Sequence, residues 1–231
     1  MKSVRVLSGG AAQGLVEALC PAFEAKTGCR IDGVFGAVGA MKARLLAGEP
    51  VDVLILSRAL IDGLARDGQV LRTSAKDIGA VETAIAVRGG HPLPAIASAA
   101  ELRAALLAAG AIHFPDPEQA TAGIHFAKIM RELGIWEAVG GRLRTAPNGA
   151  TAMRALAASQ DRRPLGCTQA TEIIATPGIV LVAPLPPGCD LATVYTAAIA
   201  TKSAASGEAA ELIALLTGEA GRHARRRLGF V

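Results

Sequence analysis

The sequence predicts an α/β protein of two lobes, and three observations carry that expectation. Short apolar strands alternate with helical segments through the first eighty residues. Two extended segments, near 80–87 and 193–200, bracket a middle block with its own strand–helix alternation. Apolar residues make up 51% of the 231 and aromatics only 3%, so the core must be Ala, Val, Leu and Ile, which suits Ala-rich helices packed on Val- and Ile-rich strands.

The elements follow in order. Val4 to Leu7 is a first strand, broken by Ser8-Gly9-Gly10. Ala11 to Lys26 carries Leu15, Ala18, Leu19, Ala22 and Phe23 at helical spacing, with Gly28 as its C-cap. Cys29 to Phe35 is a second strand, Gly36 to Gly39 a loop, and Met41 to Leu46 a helix stopped by Gly48-Glu49-Pro50. Val51 to Leu56 is apolar enough to be buried on both faces, and a helix from Ser57 to Asp67 follows it. The middle block reads as a helix over 99–109, a strand over 111–114, a loop over 115–121 and a helix over 122–133. A helix over 149–158, a strand over 165–168, a short helix over 169–175 and a strand over 179–182 complete it. One helix from Ala204 to Arg227 closes the chain. Lobe 1 is then 1–81 with 196–231, and lobe 2 is 82–195. Each has a mainly parallel sheet with right-handed crossovers. Two crossing hinge strands join the lobes, with a ligand cleft between them that closes by hinge motion.

Composition excludes several classes. The scarcity of aromatics argues against a base-stacking nucleic-acid surface. Net charge is only +4. The densest basic cluster, Arg222, His223, Arg225, Arg226 and Arg227, reads as a cationic last helical turn favoured by the helix dipole. No apolar run reaches the roughly 18 residues of a membrane helix, so no membrane insertion is expected. The first ten residues are no secretory leader, because Arg5 interrupts a short apolar stretch. The expectation is a cytoplasmic protein as the sequence stands, or a periplasmic one if a leader has been removed. Cys20, Cys29, Cys167 and Cys189 form no Cys-x-x-Cys pair. They read as buried free thiols, with a Cys20–Cys29 disulfide as the alternative. No cofactor or metal is expected: there is no Walker loop, nucleophile elbow or His-Glu-x-x-His, and the run Ser8 to Gly14 lacks the dinucleotide-loop spacing.

Chemistry is expected in the small-residue loops where strands give way to helices. These are Ser8-Gly9-Gly10-Ala11, Ala37-Val38-Gly39, Thr121-Ala122-Gly123 and Asn148-Gly149-Ala150. Each leaves backbone N–H groups free at a helix N-terminus, and Gly and Ala let a ligand approach closely. With the helix dipole, such loops make an anion site that needs no charged side chain. Ser8, Thr121, Asn148 and Gln169 are the expected side-chain donors. The partner implied is a small anionic ligand.

Several runs resemble a known family. Ala47 to Val53, Asp116-Pro117-Glu118 with Thr121 to Ile124, Pro164-Leu165-Gly166 and Leu228-Gly229-Phe230 resemble molybdate-binding proteins of ABC transporters. The resemblance covers nearly the whole chain. It implies a type II periplasmic-binding fold, binding of an oxyanion or small carboxylate, a monomer, and an ABC permease as partner. The family's binding alanine matches Ala122. Its two binding serines fall at Ala11 and Val38, and its tyrosine falls at Gln169. A second branch, aconitate isomerase and its relatives, is similar at Val6 to Gly10, Asp67 to Val70 and Leu165 to Glu172. That likeness implies a small di- or tricarboxylate and a base that removes and returns a proton. His125 and Glu172 are then the catalytic candidates, with Lys42, Arg44 or Arg154 as carboxylate clamps.

Overall fold

The computed structural model describes residues 2–231, which fall into two compact units. One runs to Val81 and resumes at Thr193–Val231; the other is Glu82–Ala192. The first opens with β1 (Ser3–Gly9), α1 (Gln13–Thr27), β2 (Arg30–Gly36), α2 (Val38–Leu46), β3 (Val53–Ser57) and α3 (Arg58–Arg66). The strand β4 (Lys76–Arg88) carries the chain out of it. The second unit contains α4 (Ala99–Ala108), β5 (Ile112–Pro115), α5 (Thr121–Glu132) and α6 (Trp136–Val139). It continues through β6 (Leu143–Ala146), α7 (Gly149–Ala158), β7 (Leu165–Gln169), α8 (Ala170–Ile174) and β8 (Ile179–Pro184). The chain returns on β9 (Ala192–Ile199) and ends in α9 (Ser206–Thr217) and α10 (Glu219–Arg227).

In the first unit β1 pairs in parallel with β2 and β3, and β9 joins β3 antiparallel. β3 is buried along Val53–Leu56, as its unbroken apolar run requires of a strand covered on both faces. Leu15, Leu19 and Phe23 of α1 are buried, and α1 packs against α9. Gly28 ends α1 in the left-handed region (φ 67°), its N–H bonded to the Glu24 carbonyl at 2.8 Å. In the second unit β5 lies parallel to β6 and β7, while β4 runs antiparallel to β7 and β8. Its core gathers Ile85, Val87, Leu102, Leu106, Phe114, Phe126 and Met130. Phe114 and Phe126 meet edge to face at 5.6 Å.

Two sequence expectations need correction. The single terminal helix is two, because Gly218 is extended (ψ −176°) between α9 and α10. Arg225 turns back there and donates to the carbonyls of Leu216 (2.7 Å) and Gly218 (2.9 Å), so this part of the basic cluster caps α9. The stretch 135–147, left without elements by the sequence pattern, forms α6 and β6. β6 is a four-residue strand carrying Arg144, with no fully buried position to produce an apolar alternation. All four cysteines are free, three buried and Cys20 half-buried.

His113 of β5 is buried, and neither ring nitrogen has a hydrogen-bond partner among the described residues. Burial pushes its pKa down; nearby Asp161 pulls it up and Arg144 pushes it down further. The unfolded chain therefore binds a proton below about 6.5 that the folded chain refuses, so stability falls as pH drops through that value. Melting curves at pH 7.5 and 5.5 are expected to differ less for His113→Leu than for the native chain. Equal differences would exclude this histidine as a source of the acid limb.

Candidate functional site

Parallel pairing sets which loops share an end of each unit. In the first unit Gly9 lies opposite Gly36 in the β1–β2 register, so the turns after both strands leave the sheet together. They also touch. A Cβ on Gly9 would sit 2.8 Å from Val38 Cγ1 and 3.0 Å from Tyr195 Cε1, so glycine is what lets the two loops close up. Gly10–Ala12 form a 3-10 turn leading into α1, and Ala37 opens α2 from an extended conformation. Ala11, Ala37 and Val38 are buried. The Ser8 hydroxyl, expected as a ligand donor, is fully buried and donates to the Gly9 carbonyl at 2.9 Å.

In the second unit Pro115 lies opposite Ala146, and β7 flanks β5 on its other side. The turns into α5, α7 and α8 thus emerge at the C-terminal ends of neighbouring strands, the end of an α/β sheet where ligands bind. α5 begins hard against the end of β5: a Cβ on Gly123 would overlap the carbonyl oxygens of Pro115 and Asp116. Asp116 accepts from the N–H groups of Glu118 (2.7 Å) and Gln119 (3.0 Å) and shapes that loop. Among the described residues no side chain caps α5, whose first turn holds Thr121 and the buried Ala122. Asn148 caps α7, accepting from the Thr151 N–H at 2.9 Å. Gln169 is buried at the start of α8.

The two catalytic candidates are both held. His125 Nε2 lies 2.8 Å from the Cys189 carbonyl; the carbonyl can only accept, which fixes the proton on Nε2 and leaves Nδ1 as the basic nitrogen. Glu172 is 7% exposed, and Thr168 Oγ1 donates to its Oε2 at 2.5 Å. Burial raises its pKa, opposed by that hydroxyl and by the N–H groups of Ala150 and Gln169. Of the clamp candidates, Arg44 is paired with Glu49 on the surface and Arg154 reaches Thr151 Oγ1 at 3.0 Å.

Sequence reasoning missed Thr83 and Thr171. Both hydroxyls are buried without a hydrogen-bond partner among the described residues, and Thr83 lies opposite Gln169 across β4 and β7. A lone threonine in an extended run gives no signal for this; only the strand register does. Among the described residues, no three His, Cys, Asp or Glu side chains gather to hold a metal ion, and no helix is long and apolar enough to cross a membrane.

Comparison with known proteins gives the family and the fold. The family model for bacterial extracellular solute-binding proteins matches residues 4–231. The chain belongs to that family. The solute-binding protein has the type II periplasmic-binding fold, seen in its likeness to solved structures. The periplasmic molybdate-binding protein of Azotobacter vinelandii superposes with a TM-score of 0.80 at 18% identity, covering 99% of this chain and 98% of that one. The sulfate-binding protein SubI of Mycobacterium tuberculosis gives 0.77 at 19% identity, covering 100% and 86%. In sequence, the solute-binding protein is 29% identical over 207 residues to an aconitate isomerase of a Pseudomonas species, covering 87% of this chain and 77% of the relative.

Proposed function

We propose that this protein binds one small anionic solute, an oxyanion or a small carboxylate, through backbone N–H groups, and delivers it to an ABC permease. The observation that carries the reading is that α2 in one unit and α5 in the other each start on buried small residues at a strand end without a side-chain cap. α2 opens at Ala37–Val38 and α5 at Ala120–Ala122; these residues are buried or nearly so, and among the described residues no side chain caps either helix. Buried helix N-termini without partners are costly, and an anion supplies the missing acceptors. Small residues at 9–11 and 37–39 in the first unit, and at 121–122 in the second, suit close approach of a ligand to the backbone. Ala11 and Val38 offer no hydroxyl where the molybdate binders resembled here have serine, so a carboxylate fits the donor set as well as a tetrahedral oxyanion does. Asn148 offers its amide nitrogen, since its oxygen is spent on the α7 cap. The family description is extracellular, which supports work outside the cytoplasmic membrane.

The aconitate isomerase relative favours a second reading, turnover of a small di- or tricarboxylate at the same loops. His125 through Nδ1 is the base in that case. A thermal-shift panel on ligand-stripped protein tests both, with molybdate, sulfate, phosphate, citrate, and cis- and trans-aconitate. Saturating solute is expected to add about 2.7 kcal/mol at a hundredfold its Kd. A shift with no anion in the panel would overturn the proposal. A shift with aconitate calls for an ultraviolet assay of isomer conversion, and absence of conversion leaves binding alone as the function.

A further inference from the structure

Glu172 sits where a bound anion would. Its carboxylate is nearly buried and has no cationic partner among the described residues; Arg and Lys pairs form elsewhere. Its partners are three hydrogen-bond donors instead. They are the Thr168 hydroxyl at the end of β7, the N–H of Ala150 in the first turn of α7, and the N–H of Gln169 at the start of α8. Gly149 makes the room: a Cβ there would overlap Glu172 Oε2 and Thr168 Oγ1. A buried carboxylate without a counter-charge persists only where donors and a favourable dipole replace water. The ten-residue helix α7 supplies both at its N-terminus.

We infer that Glu172 is the resident anion of the α7 N-terminus and a positioning residue, tying the Asn148–Gly149 turn to the Gln169–Ala170 turn so that both keep their donors in place. One side chain bonds Ala150 on one turn and Gln169 on the other, while Asn148 caps the same helix through Thr151. The first turn of α7 is thus largely spent on internal acceptors. What that turn keeps for a solute is the amide nitrogen of Asn148, a consequence that rests on the solute-binding reading. Glu172 moves no proton to or from a solute in this role.

Glu172→Ala vacates a site with three inward donors, and formate is the probe that fits it. Melting temperature is measured for Glu172→Ala and for the native chain, in sodium formate and in sodium chloride at equal ionic strength. Glu172→Ala is expected to melt lower than the native chain in chloride and to recover selectively in formate. If it fails to fold in chloride, a cooperative melt that appears only in formate is the same result. Equal formate effects on both chains would overturn the inference. Gly149→Ala serves as the second variant, since its Cβ displaces the carboxylate: it is expected to melt lower than the native chain, and an unchanged melt would also overturn the inference. The formate arm needs no solute, so its failure is distinct from failure of the solute-binding reading. Where native protein binds cis-aconitate or molybdate, Glu172→Gln is expected to weaken that binding about tenfold, through lost donor placement. Unchanged binding with turnover abolished would instead make Glu172 a base.

Discussion

Replacing Asp52 by alanine is expected to cost this protein about 2–3 kcal/mol, because buried donors lose their acceptor while the part-exposed Arg5 turns to water. Asp52 is 1% exposed and accepts five hydrogen bonds from three residues. Arg5 contributes its N–H (2.9 Å), Nε (3.0 Å) and Nη2 (3.2 Å); Ser203 Oγ (3.0 Å) and the Ala204 N–H (3.1 Å) bind the same oxygen as Nη2. One carboxylate thus joins β1, the entry to β3 and the turn between β9 and α9. Burial works against its charge, yet the Arg5 and Ser203 bonds outweigh it and hold the pKa below the usual value of 3.8. The sign follows: the stabilisation is present above about pH 4 and is lost as pH falls through the lower folded value. Denaturant melts of Asp52→Ala and Asp52→Asn measure it. A loss below about 1 kcal/mol, the level of an exposed ion pair, would contradict the network.

Gly123→Ala is expected to have the largest effect on solute binding. Its Cβ would meet two backbone carbonyls, those of Pro115 and Asp116, which cannot swing aside as a side chain can. The first turn of α5 must lift from the end of β5, carrying Thr121 and Ala122 with it. Over-packing of this kind costs about 1–3 kcal/mol of stability. Losing two or three aligned donors should weaken anion binding by roughly tenfold to a hundredfold. Gly140→Ala is the control, since among the described residues nothing lies within 4 Å of its missing Cβ. If both variants bind equally well, the α5 N-terminus is not part of the site.

Most of the frame was legible because apolar periodicity and glycine punctuation act locally. The buried run at Val53–Leu56, the Gly28 cap and the extended segment around β4 all follow from neighbouring residues. The Gly218 break was hidden because Ala, Leu and Glu on both sides continue the helical pattern, and one glycine is often tolerated within it. β6 was hidden because an edge strand with little burial has no alternation to read. At the site, the loops were legible from their small residues and positions after strands. The fate of individual groups was not. That Ser8 spends its hydroxyl on Gly9, that His125 is held by Cys189, and that Glu172 reaches α7 all depend on contacts between residues distant in sequence or on local geometry the pattern does not encode. The glycines gave a partial signal: Gly9, Gly123 and Gly149 each mark a place where a side chain would collide with a neighbour.

The central claim is that backbone donors at helix N-termini hold a small anion. Titration calorimetry of ligand-stripped protein tests it most directly, with molybdate, sulfate and cis-aconitate set against uncharged glucose and glycerol. The account predicts saturable one-to-one binding of at least one anion, weakened in Gly123→Ala, and no heat of binding from the neutral solutes. Saturable binding of a neutral solute with no response to any anion would contradict it.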